Sequence, residues 1–411
     1  MRTVIAVVGI FATFASITQA APLASDLTPL ADSTVQLVKQ RLSESATDSW
    51  VAGTQLEALI EHDYPSLSVF SDADYPPPSD PVPTQVTSIV LKWAAKRPSY
   101  TKELAYESNG AAGDPPALGV GWMIAAAAEG AAGDESTQST YMSQVKQQVD
   151  YLMNSVPRTS DGAISHRPSG EPVQLWADFM YMVPPLLAYY GVATSNSDLI
   201  REAWNQCRLY RQYLKGSTGA WKHIVLGGWQ DNGLWNTGNG WAAAGLVRVY
   251  ATIVNSKYSE DFVDEAADLV DWTNEILTAS FYNLKSDGLL PNYYDSARGS
   301  SFSDAAGSAL LAASAYRLAQ LNSTAVPYNT LQHAATIRAA VNGKVSTSSG
   351  WLAPVVNPLS FKERSSTSPE GQAFVLLLQS AWRDYLSSSS SLASSLEPVI
   401  RRVIAGLSGQ K

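Results

Sequence analysis

The chain has 411 residues, of which 45% are hydrophobic and only 16% are charged, so it has enough apolar residues for a large core and does not have the composition of a disordered protein. Tryptophan (12 residues) and tyrosine (19 residues) are plentiful, which also indicates a compact fold. The net charge is -9 at pH 7 and no basic patch stands out, so neither a nucleic acid nor an anionic membrane is an expected partner.

The first twenty residues predict a secretory signal peptide. Arg2 gives a positive start, an apolar stretch follows, and residues 18–20 offer small side chains for cleavage. The apolar stretch is too short for a membrane anchor, and no similar stretch follows it. We therefore expect removal of residues 1–20, secretion of the mature chain, and a single folded domain over residues 21–411.

Cysteine usage and short motifs limit the chemistry. Cys207 is the only cysteine, so no internal disulfide can form, and an inert buried thiol is a commoner interpretation than a reactive nucleophile. Asn322 begins an Asn-Ser-Thr sequence, an acceptor site for N-glycosylation. The sequence has no metal-ligand spacing, phosphate-binding loop or nucleophile elbow, so we expect no metal and no cofactor.

Four glycine-containing segments predict a repeat of about 60 residues. They are DGAISHR from Asp161, TGAWKHI from Thr218, DGLLPNY from Asp287 and SGWLAPV from Ser349. Patterns of helical periodicity lie between them, as in residues 141–156 and 262–277, whereas alternating strand-like patterns are scarce. A repeat of this length fits a hairpin of two helices with their loops.

The repeat predicts the architecture as well. About six such hairpins fit in the mature chain, so we expect an all-α protein in which the hairpins close into an (α/α)6 toroid, with an open solenoid as the alternative. The proline-rich segment 74–83 predicts a surface connection after the first hairpin. The serine-rich segment 387–395 predicts a loop before the last helix.

Two aspartates are candidates for catalysis. Asp178 lies in QLWADFMYM, residues 174–182, where aromatic and apolar residues surround an acid. It could cap the helix that follows. Alternatively, its neighbours desolvate the carboxyl and favour the protonated form, which can donate a proton. Asp114 could likewise cap a helix that begins at Pro115.

The most unusual loop is GGWQDNGLWNTGNGW, residues 227–241, with three tryptophans and five glycines. Glycine permits tight turns, and tryptophan rings make flat walls that suit sugar rings. Trp235 and Trp241 could equally be core residues at the start of a helix, and the sequence leaves these two interpretations even. A structural role is the default interpretation for His223. The weaker candidates are His166, Asp304 and Glu370, the last of which fits the first turn of a helix.

Taken together, these motifs resemble the unsaturated uronyl hydrolases of glycoside hydrolase families 88 and 105, which include unsaturated rhamnogalacturonyl hydrolases and are (α/α)6 barrels, or six-hairpin glycosidases. The resemblance extends from about Asp114 to Glu370. Trp176-Ala177-Asp178 resembles the family's Trp-x-Asp, which implies that Asp178 is the principal catalytic acid/base. Asp114 resembles the earlier active-site aspartate of the family.

The resemblance also implies which residues bind substrate. His223, 45 residues after Asp178, falls where the family has a substrate-binding histidine. Trp235 and Trp241 match the two tryptophans of the family's Trp-x-Arg-x-x-x-Trp loop. These two rings and Trp176 are expected to form the wall of the pocket.

One position in that substrate-binding loop departs from the family pattern. The arginine, which in the family helps to hold an anionic substrate, is Thr237 here. Threonine supplies neither a charge nor a guanidinium fork. Lys222 and Arg167 are candidates for the missing charge, and the sequence does not place either of them.

The implied activity is hydrolysis of the 4,5-unsaturated uronic acid that a polysaccharide lyase leaves at a chain end, with pectin or rhamnogalacturonan oligosaccharides as the first expectation. Asp178 would protonate C4 and then accept a proton from the water that adds at C5. One alternative is an inverting glycosidase that acts on a saturated, neutral sugar with Asp114 and Asp178 as its two carboxyls. The other is a carbohydrate-binding protein that has lost turnover. The sequence specifies neither the sugar, nor its linkage, nor the oligomeric state.

Overall fold

The computed structural model describes residues 28–71, 75, 82–106, 110–295 and 301–408, and these residues are mostly helical. The predicted signal peptide and most of the proline-rich segment 74–83 lie outside the described residues. Within them, no helix combines the length and the apolar character needed to cross a bilayer.

The helices alternate along the chain between an outer and an inner layer. In chain order they are α1 (Asp32–Ser45), α2 (Ser49–Asp63), α3 (Thr84–Lys96), α4 (Gly119–Ala131), α5 (Glu135–Asn154), α6 (Phe179–Met182), α7 (Pro184–Ala193), α8 (Ser197–Leu214), α9 (Asn236–Val254), α10 (Val263–Phe281), α11 (Ala305–Leu321), α12 (Tyr328–Asn342) and α13 (Pro369–Ser408). The inner layer consists of α2, α4, the pair α6 and α7, α9, α11 and α13. Each inner segment packs against the next, and α13 packs against α2, which closes the ring. The predicted (α/α)6 toroid is confirmed, and the open solenoid is wrong.

Burial distinguishes the two layers. In α9 every residue from Asn236 to Ile253 is buried, because this helix has neighbours on all sides. Its Gly245 lies so close to α6 that a Cβ there would be 2.0 Å from the carbonyl oxygen of Met180. The outer helix α8 is amphipathic instead and buries one apolar face. Cys207 lies on that face, and burial raises the pKa of its thiol, as expected for an inert side chain.

The repeat predicted from sequence has a physical basis in backbone geometry. Its four glycines, Gly162, Gly219, Gly288 and Gly350, have φ angles of +105°, +97°, +79° and +81°. Glycine adopts this region without the steric cost that a Cβ imposes. After each of these turns the chain runs extended towards the next inner helix, over the short strands β1 (Gln174–Trp176), β2 (Ile224–Leu226), β3 (Leu290–Pro291), β4 (Ser303–Asp304), β5 (Val355–Asn357) and β6 (Ser360–Ser365).

Backbone hydrogen bonds join these extended segments at one end of the ring. The fourth residue after each repeat glycine accepts a bond through its carbonyl oxygen from a residue near the start of an inner segment. The four bonds run from Ala112 to His166 (2.9 Å), from Ala177 to His223 (2.8 Å), from Asn236 to Asn292 (2.8 Å) and from Ala305 to Pro354 (2.9 Å). Strands β1 and β2 also pair, with Trp176 opposite Ile224. These bonds bring the loops between hairpins together at one end of the ring.

One prediction about the end of the chain is wrong. The serine-rich segment 387–395 is not a loop, because α13 continues through it to Ser408. Serine costs a helix only a few tenths of a kcal/mol per residue, roughly, relative to alanine. Its helix propensity is therefore high enough for the helix to continue.

Candidate active site

A cavity with about 590 Å³ of open space lies where the extended segments meet, within the size range of small-molecule sites. Its described lining combines three carboxyls, one guanidinium, one imidazole and three aromatic rings. These are Asp114, Asp178, Glu370, Arg167, His166, Trp50, Trp176 and Phe361. The cavity therefore brings together both aspartates that the sequence singles out.

Asp178 sits between strand β1 and the short helix α6. The bond from the Ala177 amide to the His223 carbonyl fixes this part of the backbone. The side chain makes no hydrogen bond to the first amides of α6, so the capping interpretation is wrong. The carboxyl is 15% exposed, and its Oδ2 lies 3.4 Å from Nε2 of His223 without forming a hydrogen bond. The site thus holds a carboxyl whose capacity for hydrogen bonding is not used by the helix.

His223 connects Asp178 to a second acid behind it. The imidazole is fully buried, and its Nδ1 lies 3.1 Å from Oδ2 of Asp231. Burial lowers the pKa of His223, but the contacts with Asp178 and Asp231 raise it by more, and the net shift is upward. The geometry therefore favours a positive charge on His223, directly beside Asp178.

Asp231 is itself held in place by two further donors. The Tyr293 hydroxyl donates to Oδ2 (2.5 Å) and the Gly233 amide donates to Oδ1 (3.1 Å). Burial raises the pKa of Asp231, but the hydrogen bonds from His223 and Tyr293 outweigh it and lower this pKa to about 2. Asp231 is thus a carboxylate at any working pH. The sequence reasoning missed it, although it lies in the tryptophan-rich loop.

Asp114 lies near His166, on the cavity wall. It precedes a single 3-10 turn, Pro115–Leu118, and its side chain does not cap that turn. Its Oδ1 lies 3.4 Å from Nε2 of His166. Burial lowers the pKa of His166 to about 4, so this imidazole is neutral near pH 7. The close approach depends on Gly113, where a Cβ would lie 2.3 Å from Nδ1 of His166.

The predicted tryptophans take different positions. Trp176 lines the cavity and stacks on the His166 ring, with 4.7 Å between centroids and 18° between planes. Trp235 is buried behind the His223 ring, 4.3 Å away between centroids. Trp241 is fully buried between Tyr181 and Phe374. The structure thus places Trp235 and Trp241 in the core, which was the alternative interpretation.

Another tryptophan of the same loop contacts the site instead. Trp229 is 51% exposed and meets the Trp176 ring edge-on, with 5.4 Å between centroids. Exposed aromatic rings beside a cavity are candidates for contact with the rest of an oligosaccharide. The sequence reasoning counted this ring in the loop but did not assign it.

Thr237, which occupies the position of the substrate-binding arginine of the family and was a candidate to contact substrate, is not among the described residues that line the cavity. It is fully buried at the start of α9, and its hydroxyl donates to Oδ2 of Asp304 (2.9 Å). Asp304 caps α11 by accepting from the amides of Ala306 and Gly307. Thr237 therefore ties α9 to α11, and an arginine at this position would have to displace that contact.

We expect Thr237→Val to lower the free energy of unfolding by about 0.5 to 1.5 kcal/mol, the typical net contribution of one hydrogen bond. Oδ2 of Asp304 loses one of three donors and keeps those from Asn236 and Gly307. The KM should stay within about threefold of the native value, since Thr237 does not line the cavity. Denaturant unfolding and steady-state kinetics measure the two effects, with the exposed Thr336→Val as control. A changed KM with unchanged stability would place Thr237 at the substrate after all.

Two further residues of the cavity are Arg167, which the sequence could not place, and Glu370, which the sequence gave only as a weaker candidate. Arg167 lines the cavity, whereas Lys222 is not among its described lining residues, so Arg167 is the better candidate for the missing positive charge. Glu370 is in the first turn of α13, as expected, with the hydroxyl of Ser368 accepting from the Gly371 amide (3.1 Å). It is only 3% exposed, and burial raises its pKa to about 8. Composition alone gives no sign of that environment.

The part of the chain that the structure describes contains no group of three or more His, Cys, Asp or Glu side chains placed to hold a metal ion. Proton transfer is chemistry that the cavity's own side chains can perform, because it offers carboxyls in different surroundings. Asp178 is partly exposed and lies beside His223, whose surroundings favour a positive charge. Asp114 lies beside His166, which is neutral.

Residues 134–336 match the family model described as Glycosyl Hydrolase Family 88. A search of curated proteins finds no match to the sequence.

Three solved structures illustrate the likeness in fold. A possible member of glycoside hydrolase family 105 from Salmonella enterica serovar Paratyphi A is 18% identical, with a TM-score of 0.68 over 86% of this chain and 94% of that one. The unsaturated glucuronyl hydrolase of Bacillus sp. GL1, described as responsible for glycosaminoglycan degradation, is 15% identical, with a TM-score of 0.60 over 84% and 94%. A family 88 glycosyl hydrolase from Bacteroides vulgatus is 13% identical, with a TM-score of 0.61 over 85% and 97%.

Proposed function

From the match of residues 134–336 to the family 88 model and the motifs that resemble families 88 and 105, we propose that this glycoside hydrolase hydrates chain-end 4,5-unsaturated uronyl residues of pectin or rhamnogalacturonan oligosaccharides. The observation that carries the proposal is the row Asp178–His223–Asp231, whose first member faces a cavity that also holds Asp114 and Arg167. Asp178 can donate a proton, and the positive charge of His223 stabilises the carboxylate that remains after the transfer. Arg167 is a cation that can bind an acidic sugar.

The first step is protonation of the sugar at C4 by Asp178. The C4=C5 bond is an enol ether, so this step leaves positive charge shared by C5 and the ring oxygen. Asp178 becomes a carboxylate at the same moment. The positive charge of His223, 3.4 Å from Oδ2, stabilises that carboxylate as it forms. Asp231 maintains this charge from the other side of the ring.

The second step is addition of water. The Asp178 carboxylate accepts a proton from the water as the oxygen bonds to C5, which regenerates the acid. The hemiketal then opens and releases the neighbouring sugar. Asp114, whose carboxylate shares the cavity wall with the neutral His166, orients the water or the sugar hydroxyls and stabilises the positive charge on the ring.

The role of His223 thereby differs from the one that the family resemblance implied. A substrate-binding histidine would present a nitrogen to the cavity. In this chain both ring nitrogens face carboxylates, and the residue is fully buried. We propose that it acts through Asp178 instead of contacting the sugar.

Two observations support an acidic sugar as the substrate: the presence of Arg167 in the cavity and the resemblance of the motifs to families 88 and 105. Arg167 can hold a carboxylate through a planar pair of donors, which a neutral sugar would not need. The motif resemblance to families that include unsaturated rhamnogalacturonyl hydrolases supports pectin or rhamnogalacturonan as the source.

The direct test is loss of ultraviolet absorbance by the C4=C5 bond when purified protein acts on lyase digests of pectin, rhamnogalacturonan and glucuronan, run in parallel. We expect loss with the pectin or rhamnogalacturonan digest. Loss with the glucuronan digest alone would keep the reaction and change the sugar. No loss with any digest would contradict the proposal, and release of sugar from intact glycosides would then indicate an inverting glycosidase.

We also propose that the protein is secreted. The support is the sequence of residues 1–20, with its positive start, apolar stretch and small-residue cleavage site. The amino-terminal residue of the exported protein tests this proposal, because it should lie near Ala21.

A further inference from the structure

Glu370 is a third carboxyl of the cavity, and neither step of the proposed reaction uses it. Its Oε1 accepts a hydrogen bond from Nε1 of Trp50 (2.7 Å). Its Oε2 is buried and has no hydrogen-bond partner. A buried polar atom without a partner costs about 1 to 3 kcal/mol, so its presence beside a cavity requires an explanation.

The surroundings of Glu370 are predominantly acidic. The titratable and charged groups that face it or share its cavity are Asp48, Asp114, His166, Arg167, Asp178 and Asp304. Burial disfavours the charged form most strongly, and the nearby carboxylates add to this effect. The amino-terminal end of α13 and the Trp50 donor favour the charged form, but they do not outweigh burial. Glu370 is therefore a neutral acid at neutral pH.

The position of the proton follows from the hydrogen bonds. Because Oε1 already accepts from Trp50, the proton belongs on Oε2, the oxygen that lacks a partner. Glu370 lines the cavity and thus carries an O–H donor that no described protein group takes up. Such a donor to a carboxylate forms a short, charge-assisted hydrogen bond.

We propose that Glu370 binds substrate as a neutral acid, donating its Oε2 proton to the carboxylate of the uronyl residue. This inference rests on the proposed function. In this proposal Glu370 and Arg167 together bind the carboxylate of the sugar. The arginine that has this role in the family is replaced by Thr237 in this chain. An ionised Glu370 would repel the same carboxylate, so the residue makes binding depend on pH.

The inference predicts the direction of that dependence. Below its raised pKa Glu370 keeps its proton and binds the uronate. As the pH rises through that value the donor becomes a carboxylate, and affinity falls by about tenfold for each further pH unit. His166 is neutral throughout this range, because its pKa is about 4.

Binding is best measured without turnover, in the Asp178→Asn background. The probe is the 4,5-unsaturated rhamnogalacturonan disaccharide, titrated by calorimetry between pH 5.5 and 9.5. The fall in affinity should accompany loss of the Glu370 proton, whose pKa burial raises to about 8. Adding Glu370→Gln, which keeps a neutral donor of the same size, should leave affinity within about threefold at pH 6 and make it at least about tenfold tighter than the parent at pH 9.5.

A second variant tests the same inference from the other side. Trp50→Phe removes the hydrogen bond that favours the charged form of Glu370, so it should move the fall in affinity to higher pH. A purely structural role for either residue would change affinity equally at all pH values. If Glu370→Gln does not fold, as judged by its melting temperature, the shift in Trp50→Phe decides the matter alone.

The outcomes separate the two proposals. If native protein consumes the disaccharide but Glu370→Gln and its parent show the same pH dependence, the role of Glu370 is wrong and the proposed function stands. If the native protein does not consume the disaccharide and the Asp178→Asn variant does not bind it, both are wrong. A flat profile in Glu370→Gln against a falling one in the parent supports the inference.

Discussion

Asp178→Asn is expected to lower kcat on the 4,5-unsaturated substrate by at least about 10²- to 10⁴-fold, while the fold and the KM change little. This range is the typical contribution of a positioned general acid or base. Asparagine has nearly the shape of aspartate, but it can neither donate the proton to C4 nor accept one from water. No other residue of the row Asp178–His223–Asp231 faces the cavity.

The structure indicates why this variant should remain folded. The Asp178 side chain does not cap α6, and its Oδ2 has no hydrogen-bond partner to lose. We would measure kcat by the loss of absorbance, and the fold by circular dichroism and thermal unfolding. Asp264→Asn, an exposed acid in the first turn of α10, is the matched control and should leave kcat unchanged. Near-native turnover in Asp178→Asn would show that another group supplies the proton.

Much of the fold could be predicted because the repeat is encoded locally. A glycine with positive φ forms the turn that follows each of four outer helices, and the polar-Gly pattern records that requirement at a similar place in each repeat. Helical periodicity then gives the length of the hairpin, and the length of the chain gives their number. The Trp-x-Asp motif is also local, so Asp178 could be found from sequence.

Other features of the site depend on contacts between distant segments. Glu370 looks like an ordinary acid in a first helical turn, and only the approach of Trp50 and of the aspartates shows that it is buried and neutral. Trp241 fits the pocket motif by spacing, yet α9 is surrounded on all sides and turns this ring into the core. A single sequence contains no information on which face of an entirely apolar helix meets the cavity.

The charged residues inside the ring could not be predicted from the sequence either. Arg248 and Arg317 are buried, and both pair with Glu61 from α2. Sequence patterning would place each of them on an exposed face, because arginine is seldom buried unless it is paired. Their burial becomes understandable only when α2, α9 and α11 are seen to face one another.

His223→Gln is expected to lower kcat by about 10²- to 10³-fold while KM stays within a few-fold of the native value. The range is that of losing one preorganised group that stabilises charge as it develops in the transition state. Glutamine can still form hydrogen bonds, but it cannot carry the positive charge that lies beside Asp178. KM should hardly change, because His223 does not contact the cavity.

The charge on His223 should also make kcat depend on pH. The folded protein raises the pKa of His223, so its charge is present at low pH and is lost as the pH rises through the raised value. The Asp178 carboxylate therefore loses this stabilisation as the pH rises, and kcat should fall. Asp231→Asn removes one of the two carboxylates that hold this charge, so it should move the fall in kcat to lower pH without a change in KM.

This behaviour separates the two buried groups of the site, because loss of the Glu370 proton weakens binding whereas loss of the His223 proton slows the chemical step. A rise in KM with unchanged kcat in His223→Gln would contradict a role for His223 in stabilising the Asp178 carboxylate. It would return His223 to the substrate-binding role that the family resemblance implies.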